Sequence, residues 1–515
     1  MMLALAGLHA QTMDWLDYSV LGAFFALNLG IGWWSARKSQ PSSDDFLRGG
    51  GRTAWWAAGI SFFATGSSSI STMAIPATTY SGDWLSFGSA PAQAAATVII
   101  AFAFVSLLRR LNITTIFEYL EFRFNRPVRL LGAILTLLLK VFGRVSVVML
   151  LPSLALSEVT GLSVYWSIFL LGGVTVVYAG AGGLKAVIWT DVAQTLIVFG
   201  GLAFVVLYVS FGVPHGVSGI LHLAAARGKL HPVSWDWNLH EPTFCVFVGM
   251  GLGSVFQQLS DQPLMQKVFS TPNPRAARNS VLLGVGIALP TSVFFFFLGT
   301  ALFAFYQVHP GRLSSPATPD SIVPYFIIHE LPHGIVGMII AGIFASAMGT
   351  ISSIINSTAT IAKTDCFDLL FPGAGESQKV TFARWVTIVA GVAGMAMAAY
   401  IASQNVHSLW DHYLKLIALL GGGLPGVFAL GLLSRRANSA GVIAGLVASI
   451  GITWYVQAFT NVSSFLHGFI AVGSAIVIGY GASRLVRPGG AKRDLSGLTI
   501  WDPRGSVPRA AILRT

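Results

Sequence analysis

Residues 62–72 read FFATGSSSIST and residues 341–365 read AGIFASAMGTISSIINSTATIAKTD. Both lie inside long apolar runs, and both carry polar atoms that an apolar run does not need. In the first, Gly66 and the serines Ser67, Ser68 and Ser69 weaken a helix at its middle. If that run crosses lipid, no water is at hand to take up the backbone groups set free. In the second, Ser346, Thr350 and Ser353 stand at i, i+4 and i+7 on one helical face, with Ser352, Asn356, Ser357 and Thr360 on the neighbouring faces. Freed carbonyls and hydroxyl oxygens are what a small hard cation such as sodium takes as ligands. The same small residues would also serve as a packing face that lets helices approach closely.

Working outward, the chain is 54% hydrophobic and 10% charged, whereas a soluble domain is charged at about a quarter of its positions. Thirteen apolar spans are expected, at roughly 16–34, 54–79, 83–108, 130–157, 162–181, 186–212, 243–262, 280–307, 335–364, 381–402, 409–433, 440–459 and 464–486. The runs are too long for alternating barrel strands, so the expected fold is an all-α integral membrane protein. The net charge of +11 could mean nucleic acid, but that reading needs a basic patch on a soluble fold. Here the cations gather in alternate links. Arg37, Lys38, Arg48 and Arg52 follow the first span, Arg109, Arg110, Arg123, Arg126 and Arg129 the third, Lys185 the fifth, and Lys267, Arg275 and Arg278 the seventh. The positive-inside rule then sets the N-terminus outside and the C-terminus in the cytoplasm of an inner-membrane protein. Three parts are expected: an extracytoplasmic extension over 1–15, one transmembrane domain over 16–486, and a basic cytoplasmic tail over 487–515. Cys245 and Cys366 suggest neither a disulfide framework nor a metal site. With no nucleophile–base arrangement either, no enzyme and no organic cofactor are expected.

The seventh span contains GMGLGSVFQQ (249–258), with alternating glycines five spans after the serine break. Interrupted helices at matching positions predict an inverted repeat of two five-span halves, about 54–212 and 243–433. Ionisable residues inside spans point to function. Asp191, in KAVIWTDVAQT (185–195), could ligate a cation. Arg144, in LLLKVFGRVSVV (137–148), could hold an anionic solute group through its bidentate fork. A purely structural Arg144–Asp191 pair is the alternative, and Lys140 would snorkel to a polar boundary. Asp261 and Gln262, ahead of Pro263, read as a cytoplasmic gate or cap. Asp411 and Lys415 read as a solvated pair four residues apart.

Five ordered segments, DFLRGGGRTAWWAAGISFFAT (45–65), TIFEYLEFRF (115–124), GGLKAVIWTDVAQT (182–195), SDQPLMQK (260–267) and SSIINSTATIAKTD (352–365), resemble the sodium:solute symporter family, and the similarity runs over about 13–486. The resemblance implies a five-plus-five inverted-repeat core that works by alternating access and takes sodium but no organic cofactor. It implies a main sodium site at Ala64, Ser67, Ser346, Gly349 and Thr350. Gly349 is a departure, since a hydroxyl is usual there. A second sodium site maps to Asp191, Ser352 and Ser353, so that one or two ions would be coupled. The run around 49–77 together with Arg144 most resembles the bacterial sialic-acid branch. That resemblance puts a sugar carboxylate on Arg144 and the rest of the solute near Ser68 and Ser71, with Gln93, Gln257 and Gln258 as further pocket candidates. The region around Ala90 lacks the acidic residue of the hexose branch. The expected partners are a small organic anion and the lipid bilayer, with no nucleic acid, for a protein working as a monomer. Other carried solutes (a monocarboxylate, sugar, proline or pantothenate), or a transporter-like sensor or channel, are the remaining alternatives.

Overall fold

A computed structural model of the chain describes residues 13–38, 42–313, 322–404, 421–486 and 495–502. Asp411 and Lys415 lie outside these residues. The described residues form helices and no strand, and nine of their helices are long and apolar enough to cross a membrane. This multi-pass membrane architecture follows from the backbone, because in lipid each N–H and C=O must find its partner within the segment. In chain order the elements used below are α1 (Trp15–Lys38), α2 (Trp55–Gly66), α3 (Ser69–Ser81), α4 (Ser89–Ile99), α5 (Ile116–Arg123), α6 (Arg126–Leu139), α7 (Ser146–Thr160) and α8 (Val164–Gly212). They continue with α9 (Phe244–Leu259), α10 (Gln262–Phe269), α11 (Pro274–Val308), α12 (Ile335–Ile361), α13 (Glu376–Ser403), α14 (Gly423–Leu433), α15 (Ser439–Phe459) and α16 (Ser464–Leu485).

The axis of the molecule is α12. The apolar window of its helical run is 83% buried, against 28–44% for the other long helices. A helix that is apolar all round belongs in the interior, and the hydroxyls of α12 fit there by bonding their own backbone. Ser357 and Thr358 both donate to Ile354 O at 2.8 Å, and Thr360 donates to Asn356 O at 2.9 Å. Each end of the run is clamped by a buried carboxylate. Asp17 of α1 accepts from Gly334 N at 2.6 Å and Gly337 N at 2.8 Å, capping the positive end of α12. Beyond the other end, Asp365 accepts from Arg129 Nε at 2.7 Å and from Thr115 Oγ1 at 2.9 Å.

Two breaks shape the bundle. The second span stops at Gly66, passes through extended backbone at Ser67 (φ −97°, ψ 103°) and Ser68 (φ −97°, ψ 168°), and restarts at Ser69, as its serines led us to expect. The fifth and sixth spans form one helical run, α8, that turns at the single residue Gly183 (φ 59°, ψ −149°). A Cβ there would collide with Phe46 O and the Phe46 ring.

The seventh span corrects an expectation. Its glycines do not interrupt it, and α9 runs unbroken from Phe244 to Leu259. They thin the helix for close packing instead. A Cβ on Gly249 would lie 2.6 Å from Leu466 Cδ2, and one on Gly253 would lie 3.0 Å from the Phe469 backbone, both on α16. Part of the tail also packs on the bundle. Ile500 N bonds Leu432 O at 3.1 Å, Trp501 Nε1 bonds Leu433 O at 2.6 Å, and Tyr119 Oη donates to Leu498 O at 3.0 Å.

Gly183→Ala should destabilise the protein by about 1–3 kcal/mol from backbone strain alone, with the Phe46 clash in addition. The readout is thermal unfolding in detergent, with Gly22→Ala as control, since a Cβ at Gly22 meets nothing within 4 Å.

Candidate ion and solute site

The break between α2 and α3 faces the hydroxyl row of α12. Ser346 Oγ lies 3.2 Å from Ser67 O, and Thr350 Oγ1 lies 3.5 Å from the same oxygen. Thr350 also lies 3.4 Å from Ser346 O. Ala64 stands opposite Gly349, its Cβ 3.8 Å from where a Cβ on that glycine would be. Ala64, Ser67, Ser346, Gly349 and Thr350 therefore share one small volume of weakly bonded oxygens.

Next to it lies a fully buried carboxylate. Asp191 Oδ2 accepts from Ser61 Oγ and from Lys267 Nζ, the latter at 3.4 Å. Asp191 Oδ1 has no partner. One turn along α2 from Ser61, Thr65 Oγ1 lies 3.0 Å from Ser353 Oγ, while Ser352 Oγ donates to Gly349 O at 3.1 Å. Asp191, Ser352 and Ser353 are thus tied through α2 and Gly349 into the same neighbourhood. Ser61, Thr65, Gln194 and Lys267 belong to it as well, and the sequence reading passed over all four. The signals were slight: Ser61 and Thr65 stand at i, i+4, and Gln194 stands three after Asp191. Lys267 is the sharper correction, because it counted as a loop cation and is only 1% exposed.

The arginine is paired differently from the expected alternative. Arg144 Nη1 bonds Asp261 Oδ2 at 2.9 Å, and Lys140 Nζ bonds the other oxygen of the same carboxylate. No Arg144–Asp191 pair forms, and Lys140 is buried against Asp261 instead of snorkelling. Asp261 sits at the cap position of α10 without capping it, because its carboxylate is turned to the two cations. The π-helical stretch Lys140–Val145 carries both cations, and such widened turns recur at functional sites.

Ser68 and Ser71 flank the break, with Ser71 N bonded to Ser68 O at 2.9 Å. The Thr97 hydroxyl on α4 lies 2.8 Å from both Gln93 O and Gln258 Oε1, which joins those two glutamines. Gln257 points elsewhere, its amide against Gly468 of α16. One turn beyond Ser68 along α3, an apolar cleft is lined by Thr72, Leu202, Leu298, Phe326 and Ile343 among others. It holds no charged group, and the polar chemistry lies outside it.

A broken helix set against a buried hydroxyl-lined helix, with buried ion pairs beside it, is the core of a secondary membrane transporter. Residues 46–449 match the model of the sodium:solute symporter family, and the chain belongs to that family. It is 32% identical over 92% of its length to the sodium/sialic acid symporter NanT of Aliivibrio fischeri, covering 94% of that protein. It is likewise 32% identical to the sodium/sialic acid symporter SiaT of Proteus mirabilis, over 93% of this chain and 97% of the relative. Its fold superposes on a substrate-bound, outward-open Na⁺-coupled sialic acid symporter with a TM-score of 0.86 at 32% identity, covering 92% of this chain and 99% of the other.

Asp261 is the common counter-ion of the buried Lys140 and the partly buried Arg144, so Asp261→Asn should destabilise the protein by about 1.5–3 kcal/mol, the scale of hydrogen bonds to charged groups. Thermal unfolding in detergent should show a far larger loss than for Asp44→Asn, whose salt bridge to Arg48 is largely exposed on the aspartate side.

Proposed function

We propose that this chain is a sodium-driven importer of a small carboxylated solute, with sialic acid as that solute. The observation that carries the reading is the freed Ser67 carbonyl 3.2 Å and 3.5 Å from the hydroxyls of Ser346 and Thr350. In this reading Ala64, Ser67, Ser346, Gly349 and Thr350 form the main sodium site, and Asp191 with Ser352 and Ser353 forms a second. The helices belong to thirteen spans, with inverted repeats over 54–212 and 243–433, the N-terminus outside and the C-terminus in the cytoplasm. The Lys140–Arg144–Asp261 group closes the cytoplasmic exit at the inner end of α9. When that group parts, Arg144 is the cation available to a solute carboxylate, with Ser68, Ser71 and Gln258 for its hydroxyl and amide groups. The sialic acid assignment is supported by the names of the two bacterial relatives and of the structural neighbour.

Two sodium ions carried with one monoanion move one net positive charge inwards, worth about 2.3 kcal/mol per 100 mV of inside-negative potential. Radiolabelled N-acetylneuraminate should therefore concentrate in proteoliposomes only with inward sodium, and faster when a potassium diffusion potential makes the lumen negative. Uptake indifferent to sodium would refute the reading. The human sodium-coupled monocarboxylate transporter 1 is also 31% identical over 85% of this chain, so a parallel panel with lactate and pyruvate separates a sugar acid from a short monocarboxylate.

Arg144→Ala should weaken solute binding by about 2–5 kcal/mol, the usual loss when one partner of a buried charge pair is truncated, while sodium binding measured without solute stays near wild type. Equal loss of both would make the arginine a structural residue only.

A further inference from the structure

We infer that Gln194 is a direct ligand of a sodium ion held against Asp191 in the space that Gly349 leaves open. The inference rests on the sodium-coupled reading above and adds a residue to it. Asp191 Oδ1 and Gln194 Oε1 are among the buried oxygens of the described structure that have no hydrogen-bond donor. They belong to residues 0% and 2% exposed, one helical turn apart on α8. Both border the same point on α12. A Cβ on Gly349 would lie 3.0 Å from Asp191 Oδ1 and 3.2 Å from Gln194 Oε1. Two acceptors facing one atom-sized space repel each other and have given up water, so the space calls for a positive or donating species.

The amide oxygen is aimed there by a relay. Gln194 Nε2 donates to Asn28 Oδ1 at 2.6 Å, and Asn28 Nδ2 donates to Phe24 O at 2.8 Å. Phe24 O can only accept, which fixes the Asn28 amide and, through it, the Gln194 amide. The Tyr178 hydroxyl stands beside Gln194 and Ser352, and it donates its single proton to Met348 O at 3.2 Å. Lys267 holds the other oxygen of Asp191, leaving Oδ1 for a mobile cation. Position 349 lacks the hydroxyl that family resemblance leads one to expect, and Gln194 supplies an oxygen from the facing wall.

The test is equilibrium binding of radioactive sodium to the purified full-length protein without solute, paired with the sodium Hill coefficient of uptake in proteoliposomes. Gln194→Leu should weaken one ion by about 10–100-fold, the scale on which shell residues act on metal affinity, and bring a Hill coefficient above one down to one while uptake remains sodium-driven. Gly349→Ala should do the same with Gln194 intact, because its methyl group occupies the space. In both variants the other sodium ion should still bind and thermal unfolding in detergent should stay near wild type, which damage to the fold would not allow. If Gln194→Leu or Gly349→Ala keeps wild-type sodium affinity and cooperativity, the proposal is overturned, and a water molecule donating to both oxygens fills the space. Wild-type protein without sodium-driven uptake overturns the functional reading itself, an outcome visible before any variant is made.

Discussion

Inside a bilayer a carbonyl oxygen released from its helix has no water to turn to, and the structure depends on how Ser67 O meets that constraint. The break after Gly66 frees it, and the hydroxyls of Ser346 and Thr350 approach it at 3.2 Å and 3.5 Å. Those are long contacts that satisfy the oxygen weakly. A helix break stabilised by strong bonds would be a fixed structural joint. One stabilised by weak bonds retains lone pairs for a cation.

The charges packed inside the bundle, fully or partly buried, follow the same economy. Asp191, Asp261 and Asp365 are each met by a lysine or arginine from another element, Lys267, Lys140 with Arg144, and Arg129 respectively. Removing charges from water is expensive, and such pairs contribute little net stability compared with apolar packing. They make the arrangement specific and hard to leave by half measures, since separating one partner strands the other. Alternation between two conformations therefore has to exchange whole sets of partners. The clamps at the ends of α12, Asp17 on Gly334 and Gly337 and Asp365 on Arg129, hold the axis about which such an exchange takes place.

The local parts of this picture were legible in the sequence. Span length, apolar run and the weakness of Gly66–Ser69 depend on residues adjacent in the chain, and the helices and the break in the second span follow from them. So does the sharing of one face by Ser346, Thr350 and Ser353, which needs only the period of a helix. Where a residue has two possible partners, the choice between them lies across the bundle and is not local to the chain. The glycines of α9 looked like a second break and are a packing face for α16.

What the sequence by itself determined is the solvent of the chain, the helical spans, the place of the break and the hydroxyl face opposite it, because hydropathy and helical period act over a few turns. What only the tertiary structure decided is partnership. It paired Arg144 with Asp261 and Asp191 with Lys267, and it turned Asp191 Oδ1 and Gln194 Oε1 towards the bare Cα of Gly349. A charge inside the bundle takes whichever counter-charge the packing of helices brings within reach, here from 117 and 76 positions away in the chain.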